Sequence, residues 1–209
     1  MDTFDLYKDI QCRTNGEIYL GVVGPVRSGK STFIKRFMDV LVLPKMTDEH
    51  AKERTVDELP QSASGKSIMT TEPKFVPKEA AEIQLAKDVS VLVRLIDCVG
   101  YMVEGAAGHM ENGAERLVKT PWNEKEIPFT KAAEIGTKKV IHDHSTIGIV
   151  VTTDGSIGEL PRNSYRAAEK KTIQELKSIG KPFVVLVNTR KPYSAEAKNV
   201  AEEIQKEYQ

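Results

Sequence analysis

Net charge, cysteine, tryptophan and long apolar runs are all scarce in this sequence of 209 residues. Thirty basic and thirty acidic residues cancel to a formal net charge of +0, so the charge balance offers no drive toward nucleic acid or an anionic membrane. The same neutrality leaves little self-repulsion and permits self-association near neutral pH. Two cysteines, Cys12 and Cys98, make neither a disulfide framework nor a CxxC metal pair, which suits a reducing cytoplasm. No stretch approaches the roughly 18 apolar residues of a membrane span. The opening MDTFDLYKDIQ alternates charged and apolar groups and has no signal-peptide core. What remains is globular: 40% hydrophobic and 29% charged residues, at a length suited to one domain spanning 1–209.

Apolar runs at 17–23 (EIYLGVV), 82–86, 89–96, 146–152 (TIGIVVT) and 183–188 (FVVLVN) read as strands. Helical spacing marks about 31–40, 130–143, 162–179 and 194–207. Strands apolar on both faces, alternating with helices, predict a three-layer α/β fold: a mostly parallel sheet with helices on both sides. Residues 44–72 are polar and broken by Pro44, Pro60 and Gly65. That is long for an idle loop, so a mobile, functional switch segment is expected over about 44–75. Residues of about 101–130, with Gly105, Gly108, Gly113, Pro121 and Pro128, are expected to be an insertion with little regular structure. The pattern closes on a helix where a doubly wound nucleotide fold ordinarily adds a strand. The chain is therefore expected to be an N-terminal piece of a longer one.

The chemistry concentrates in Gly24-Pro25-Val26-Arg27-Ser28-Gly29-Lys30-Ser31, which matches GxxxxGK[ST] between a strand and a helix. Such a turn points successive N–H groups at phosphate oxygens, and the helix N-terminus adds partial positive charge. Lys30 would bridge the β- and γ-phosphates of a nucleotide, and the Ser31 hydroxyl would ligate Mg²⁺. Thr32 opens the helix face and is carried with the loop as a binding candidate. Asp97-Cys98-Val99-Gly100 follows a buried strand, placing a carboxylate where strands end at a phosphate crevice. Asp97 would hold Mg²⁺ through water, and the Gly100 N–H would meet the γ-phosphate. Thr70 and Thr71, at the end of the polar segment, are the candidates to sit on Mg²⁺ and the γ-phosphate, with Thr71 placed among the metal ligands. Lys30, Asp97, Thr70 and Thr71 make the expected catalytic set, and Ser31, Thr71 and Asp97 the metal set.

Guanine readers of the switch type carry [NT]KxD after the strand that FVVLVN would match, and the aspartate accepts two hydrogen bonds from the base. Here Asn188 is in place as a nucleotide contact, but Thr189 holds the lysine position and Lys191 the aspartate position. A cation facing two donors rejects guanine. Tyr101 follows DxxG in place of a water-orienting glutamine, so slow basal hydrolysis accelerated by assembly is expected. Arg27 inside the loop reads as solvent-facing, with a phosphate contact in cis as the sharper option. His109, His142 and His144 lack metal spacing, and Cys98 reads as a small packing residue.

GVVGPVRSGKSTFIKRFM, LPQSASGKSIMTTEPKFVP, RLIDCVGY, AAEIGTKKVIHDHSTIG and VTTDGSIGELPR together resemble the N-terminal ATPase domain of the stage IV sporulation protein A family, over essentially the whole chain. The resemblance implies a P-loop fold of the translation-factor-related GTPase class that has lost guanine recognition and uses ATP with Mg²⁺. It implies hydrolysis that drives self-assembly into static polymers, the basement layer of the spore coat, on the forespore surface in the mother-cell cytoplasm. The implied partners are other copies of the chain, spore-coat proteins and a small amphipathic sporulation peptide that anchors the layer. Membrane contact is thus indirect, and no nucleic acid is expected. Lys30 takes the Walker A lysine role, Asp97 the Walker B aspartate role, and Thr70 and Thr71 the sensor threonines.

Three rivals use parts of the same pattern. A GTPase switch of the ribosome-assembly type shares the P-loop and DxxG but lacks the base-reading aspartate and a basic RNA face here. A small-molecule kinase needs an arginine-rich lid, and the 101–130 stretch offers only Arg116. A nucleotide-retaining scaffold would not release phosphate. Turnover measured with ATP and GTP at equal concentration is expected to favour ATP; a clear preference for GTP would refute the reading of 188–192.

Overall fold

The computed structural model describes residues 16–60, 72–86, 89–111 and 113–208. Strand β1 (Glu17–Val23) runs into the glycine turn, and helix α1 (Lys30–Phe37) leaves it. Ile34 and Met38, four residues apart, are fully buried and seat α1 on the sheet. The helix then loosens into a π-turn over Met38–Val42 and a short 3₁₀ turn over Leu43–Lys45. Helix α2 (Glu49–Glu58), strand β2 (Lys74–Ala86) and strand β3 (Val89–Asp97) follow. Two small hairpins come next: β4 (Met110–Glu111) with β5 (Ala114–Glu115), and β6 (Leu117–Thr120) with β7 (Asn123–Pro128). The chain ends with α3 (Phe129–Lys139), β8 (Ile147–Thr153), α4 (Arg162–Ser178), β9 (Phe183–Asn188) and α5 (Ala195–Tyr208).

The five long strands form one sheet in the order β2-β3-β1-β8-β9. β1 pairs in parallel with β3 and β8, and β8 with β9, while edge strand β2 runs antiparallel to β3. Successive side chains of a strand face opposite sides, and the core divides accordingly. Val22, Val93, Leu95 and Val151 face Ile34, Met38 and Leu59. Val23, Ile96 and Val150 face Ile141, Tyr165, Ile173 and Leu176. Helices thus cover both sides of a mostly parallel sheet, as the apolar runs predict, and the architecture fits a P-loop NTPase-like fold.

The polar stretch from residue 44 holds α2, capped by Asp48, whose carboxylate accepts from the His50 and Ala51 amides at 2.9 and 3.1 Å. Its signal is faint in the sequence because Thr55 is the one residue that this helix buries, so no apolar period marks it. One expectation is corrected: the stretch of about 101–130, expected to hold little regular structure, forms the two hairpins between Met110 and Pro128. Their strands are short and mostly exposed, which erases the alternation that would announce them. They are held to α3 by Arg116, stacked over the Phe129 ring at 4.4 Å, and by the Thr130 amide donating to Glu115 at 3.0 Å. In addition, the strand expected at 82–86 begins earlier, at Lys74. Because the Asp48 cap satisfies two open helix N–H groups, Asp48→Ala is expected to cost about 1 kcal/mol. It should speed amide exchange at His50 and Ala51 while leaving β1 and β3 protected.

Candidate active site

The site forms where β1 and β3 end side by side. The parallel register sets Val22 opposite Asp97, so the turn after β1 and the carboxylate closing β3 emerge together. The Ser31 hydroxyl, at the start of α1, donates to Asp97 Oδ2 at 2.7 Å. Residues 66 positions apart in the chain are thereby joined. Asp97 as a residue is half-buried, but its Oδ1 is enclosed and has no partner. Lys30 is 5% exposed and its Nζ donates to the Pro25 carbonyl at 2.6 Å, curled back inside the loop. Ser28 is fully buried with an unpartnered hydroxyl.

Two glycines are required here by contact. Gly29 has φ 96°, and a Cβ on it would run into the Asn188 amide nitrogen. That nitrogen donates to the Ser28 carbonyl at 3.1 Å, so Asn188 clasps the loop from β9. Gly100 has φ 96°, and a Cβ there would meet the Gly24 carbonyl oxygen and Lys30 Nζ. Beside it, the Tyr101 amide donates to Gly24 O at 3.2 Å and the Val26 amide to Tyr101 O at 2.8 Å. Two backbone bonds thus stitch the glycine turn to the segment after Asp97.

The electrostatics oppose solvation. Burial pulls the Lys30 ammonium below the usual lysine range, against the raising influence of Cys98 and Asp97. Burial pushes the Asp97 carboxyl above its usual range, against the Ser31 hydrogen bond and the Lys30 charge. Cys98 is pushed up to about 11 by burial, so it stays a thiol, packed and donating weakly to Val22 O at 3.5 Å. It is a packing residue, as expected.

Of the remaining candidates, Thr32 lies exposed on α1 and Arg27 is exposed on the loop crest. Thr70 and Thr71 lie outside the described residues, as does Cys12. His142 pairs with Glu175 at 2.9 Å and His144 meets the Phe75 ring edge-on, so neither converges on the site. One residue that the spacing argument passed over is Asp154, at the end of β8. Its carboxylate accepts from Thr189 at 2.5 Å and from the Ser156 hydroxyl and amide at 2.6 and 2.9 Å. Burial alone would raise it, but these hydrogen bonds outweigh that and hold it low. The turns after β8 and β9 are thereby locked beside Asn188. Its signal is an aspartate-glycine pair directly after a buried strand.

The family model of stage IV sporulation protein A, ATPase domain, matches residues 1–209. The chain belongs to the stage IV sporulation protein A family. It is 57% identical over 205 residues to stage IV sporulation protein A of Clostridioides difficile (strain 630), covering 98% of this chain and 42% of that protein. The family's proteins from Bacillus anthracis and Bacillus subtilis (strain 168) are each 52% identical over 208 residues, covering 100% of this chain and 42% of theirs. The chain therefore spans about two fifths of the length of the curated relatives it matches. A solved structure of an SsGBP variant aligns over 95% of this chain and 47% of that one, with 18% identity and a TM-score of 0.44, too loose a likeness to carry an argument. Among the described residues no helix is long and apolar enough to cross a membrane.

The donor set fits a magnesium nucleotide. Among the described residues no group of three or more His, Cys, Asp or Glu side chains could cage a metal unaided. One hydroxyl and one carboxylate with a free, enclosed oxygen suit Mg²⁺, which takes few protein ligands and completes its shell with phosphate and water. The upward-shifted Asp97 also predicts a stability cost. Its folded pKa exceeds the unfolded one, so the native state binds the extra proton between the two values, and stability falls as pH rises through that window. Asp97→Asn is therefore expected to raise Tm of the nucleotide-free chain at neutral pH, and the gain should vanish below the unfolded carboxylate range near pH 3.8.

Proposed function

We propose that the chain binds ATP with Mg²⁺ at the mouth of β1 and α1 and hydrolyses it to ADP and phosphate. The observation that carries this reading is the enclosed trio of Lys30, Ser31 and Asp97, with Asp97 Oδ1 left without a partner. A buried polar atom without a hydrogen bond is costly, and a ligand shell that completes it removes the cost. Ser31 and Asp97 would hold Mg²⁺, which would supply charge neutralisation on the phosphates. Lys30 releases Pro25 and turns to the β- and γ-phosphates, while the amides of 25–31 cradle them. The Gly100 N–H would meet the γ-phosphate, and Thr70 and Thr71 are the expected sensor threonines. The loop amides are fixed by the fold, so they need little reorganisation as charge develops, and such preset donors supply much of the rate enhancement at a site of this kind.

Asn188 contacts the nucleotide side of the loop, and Lys191, standing where guanine readers place an aspartate, turns the pocket to adenine. The chain is read as a member of the translation-factor-related class. Within the family it serves sporulation as a morphogenetic ATPase: hydrolysis drives copies of the chain into static polymers at the forespore surface, in the mother cell. There the polymers underlie the spore coat, with coat proteins and a small amphipathic peptide as partners. The neutral charge that permits self-association supports that part of the reading.

Single-turnover phosphate release from [γ-³²P]ATP tests the core of it. The parent is expected to release phosphate, and Lys30→Ala to slow release by about 10²-fold or more. A parent without release, or a variant at the parental rate, overturns the proposal.

A further inference from the structure

Arg27 is the one non-glycine residue with a positive φ among the described residues, at 61°. Side chains of L residues adopt that conformation at a cost, and it persists where the surroundings impose it, as at ligand clamps. Here the P-loop imposes it. Val26 on one side is bonded to Tyr101 and 3% exposed, and Ser28 on the other is fully buried. Arg27 alone between them faces out, from the crest of the loop. Its Nη2 donates to the Ala107 carbonyl at 3.3 Å, a long hydrogen bond in contact with water. The Tyr165 hydroxyl lies within reach of its charge.

The loop therefore carries two cations in different settings. Lys30 is enclosed and stripped of water, whereas Arg27 stands exposed at the rim, with Nη2 on the Ala107 carbonyl. A guanidinium presents a planar fork that matches phosphate oxygens, and its bonds to them are charge-assisted and stronger than one to a neutral carbonyl.

We propose that Arg27 is a catalytic residue acting in cis: it leaves Ala107, spans the oxygens between the β- and γ-phosphates, and stabilises the charge of the transition state. The proposal rests on the ATPase reading above. In the step it assists, a water oxygen bonds to the γ-phosphorus as the bond to the β–γ bridging oxygen breaks. The electron pair stays on ADP and the water's proton passes to the departing phosphate. Arg27 keeps its protons and donates hydrogen bonds throughout. This assigns transition-state charge, in a site with Tyr101 where a water-orienting side chain would stand, to a group on the loop itself.

Arg27→Gly tests it on the full-length protein, because glycine accepts φ 61° and removes only the side chain. The expected result is a fall in kcat of about 10²–10³-fold, toward the lower end of what an arginine finger contributes. ATP affinity should change by no more than about threefold, and the tight ADP–fluoroaluminate complex should be lost. Arg27→Lys, which keeps the charge without the fork, should recover part of the rate. Hydrolysis by Arg27→Gly at the parental rate, or a loss of rate matched by an equal loss of ATP affinity, overturns the assignment while leaving the ATPase reading intact. A parent that releases no phosphate beside the Lys30→Ala control overturns both.

Discussion

Everything at this site depends on enclosing Lys30 within electrostatic reach of the Asp97 carboxylate, whose Oδ1 is also enclosed, with the Ser31 hydroxyl joined to that carboxylate. Each group is shifted toward its neutral form by burial, and each partly holds the other charged. Removing ions from water costs several kcal/mol apiece, so this arrangement is weak evidence of stability. The surrounding architecture serves that arrangement. β1 and β3 lie in parallel register to the last residue, so their carboxyl ends deliver loop and carboxylate to one point. Ile34 and Met38 anchor α1 behind it, fixing the helix N-terminus against the loop.

A second layer of polar contacts keeps the rim in place. Buried Glu169 accepts both guanidinium nitrogens of Arg162, at 2.6 and 2.8 Å, and the Thr152 hydroxyl at 2.5 Å. That cluster ties the first two turns of α4 to the end of β8, from which Asp154 extends. Asp154 in turn collects Thr189 and Ser156, and Asn188 reaches the Ser28 carbonyl. The turns after β8 and β9 are thus fixed relative to the P-loop by side chains. The segment after Asp97 is fixed to the same loop by backbone bonds at Tyr101. Breaking the Glu169 cluster would strand a buried charge.

Membership of the stage IV sporulation protein A family places this chain beside relatives of which it spans about two fifths. The two hairpins between Met110 and Pro128 set the segment after the crevice apart from a plain doubly wound fold. They hang on α3 through Arg116 and Phe129 rather than joining the main sheet.

The strands β1, β3 and β8 and the helices that follow them were legible because buried parallel strands are continuous in apolar residues and their helices repeat at 3.6; β9 carries the same kind of apolar run although it lies at the sheet edge with no residue fully buried. The turn after β1 was legible because its spacing restricts residue type, with glycine at 29, lysine at 30 and a hydroxyl at 31, and in the fold a Cβ on Gly29 would strike Asn188. Helix α2 and the hairpins were not, because they bury too little to leave a period, and a cap such as Asp48 reads like any other polar residue. Only the tertiary structure decided that Ser31 meets Asp97, that Gly29 makes room for Asn188 and that Asp154 stands beside Thr189. Those pairs are 66, 159 and 35 positions apart, and a local pattern carries no record of which distant strand end will lie beside it.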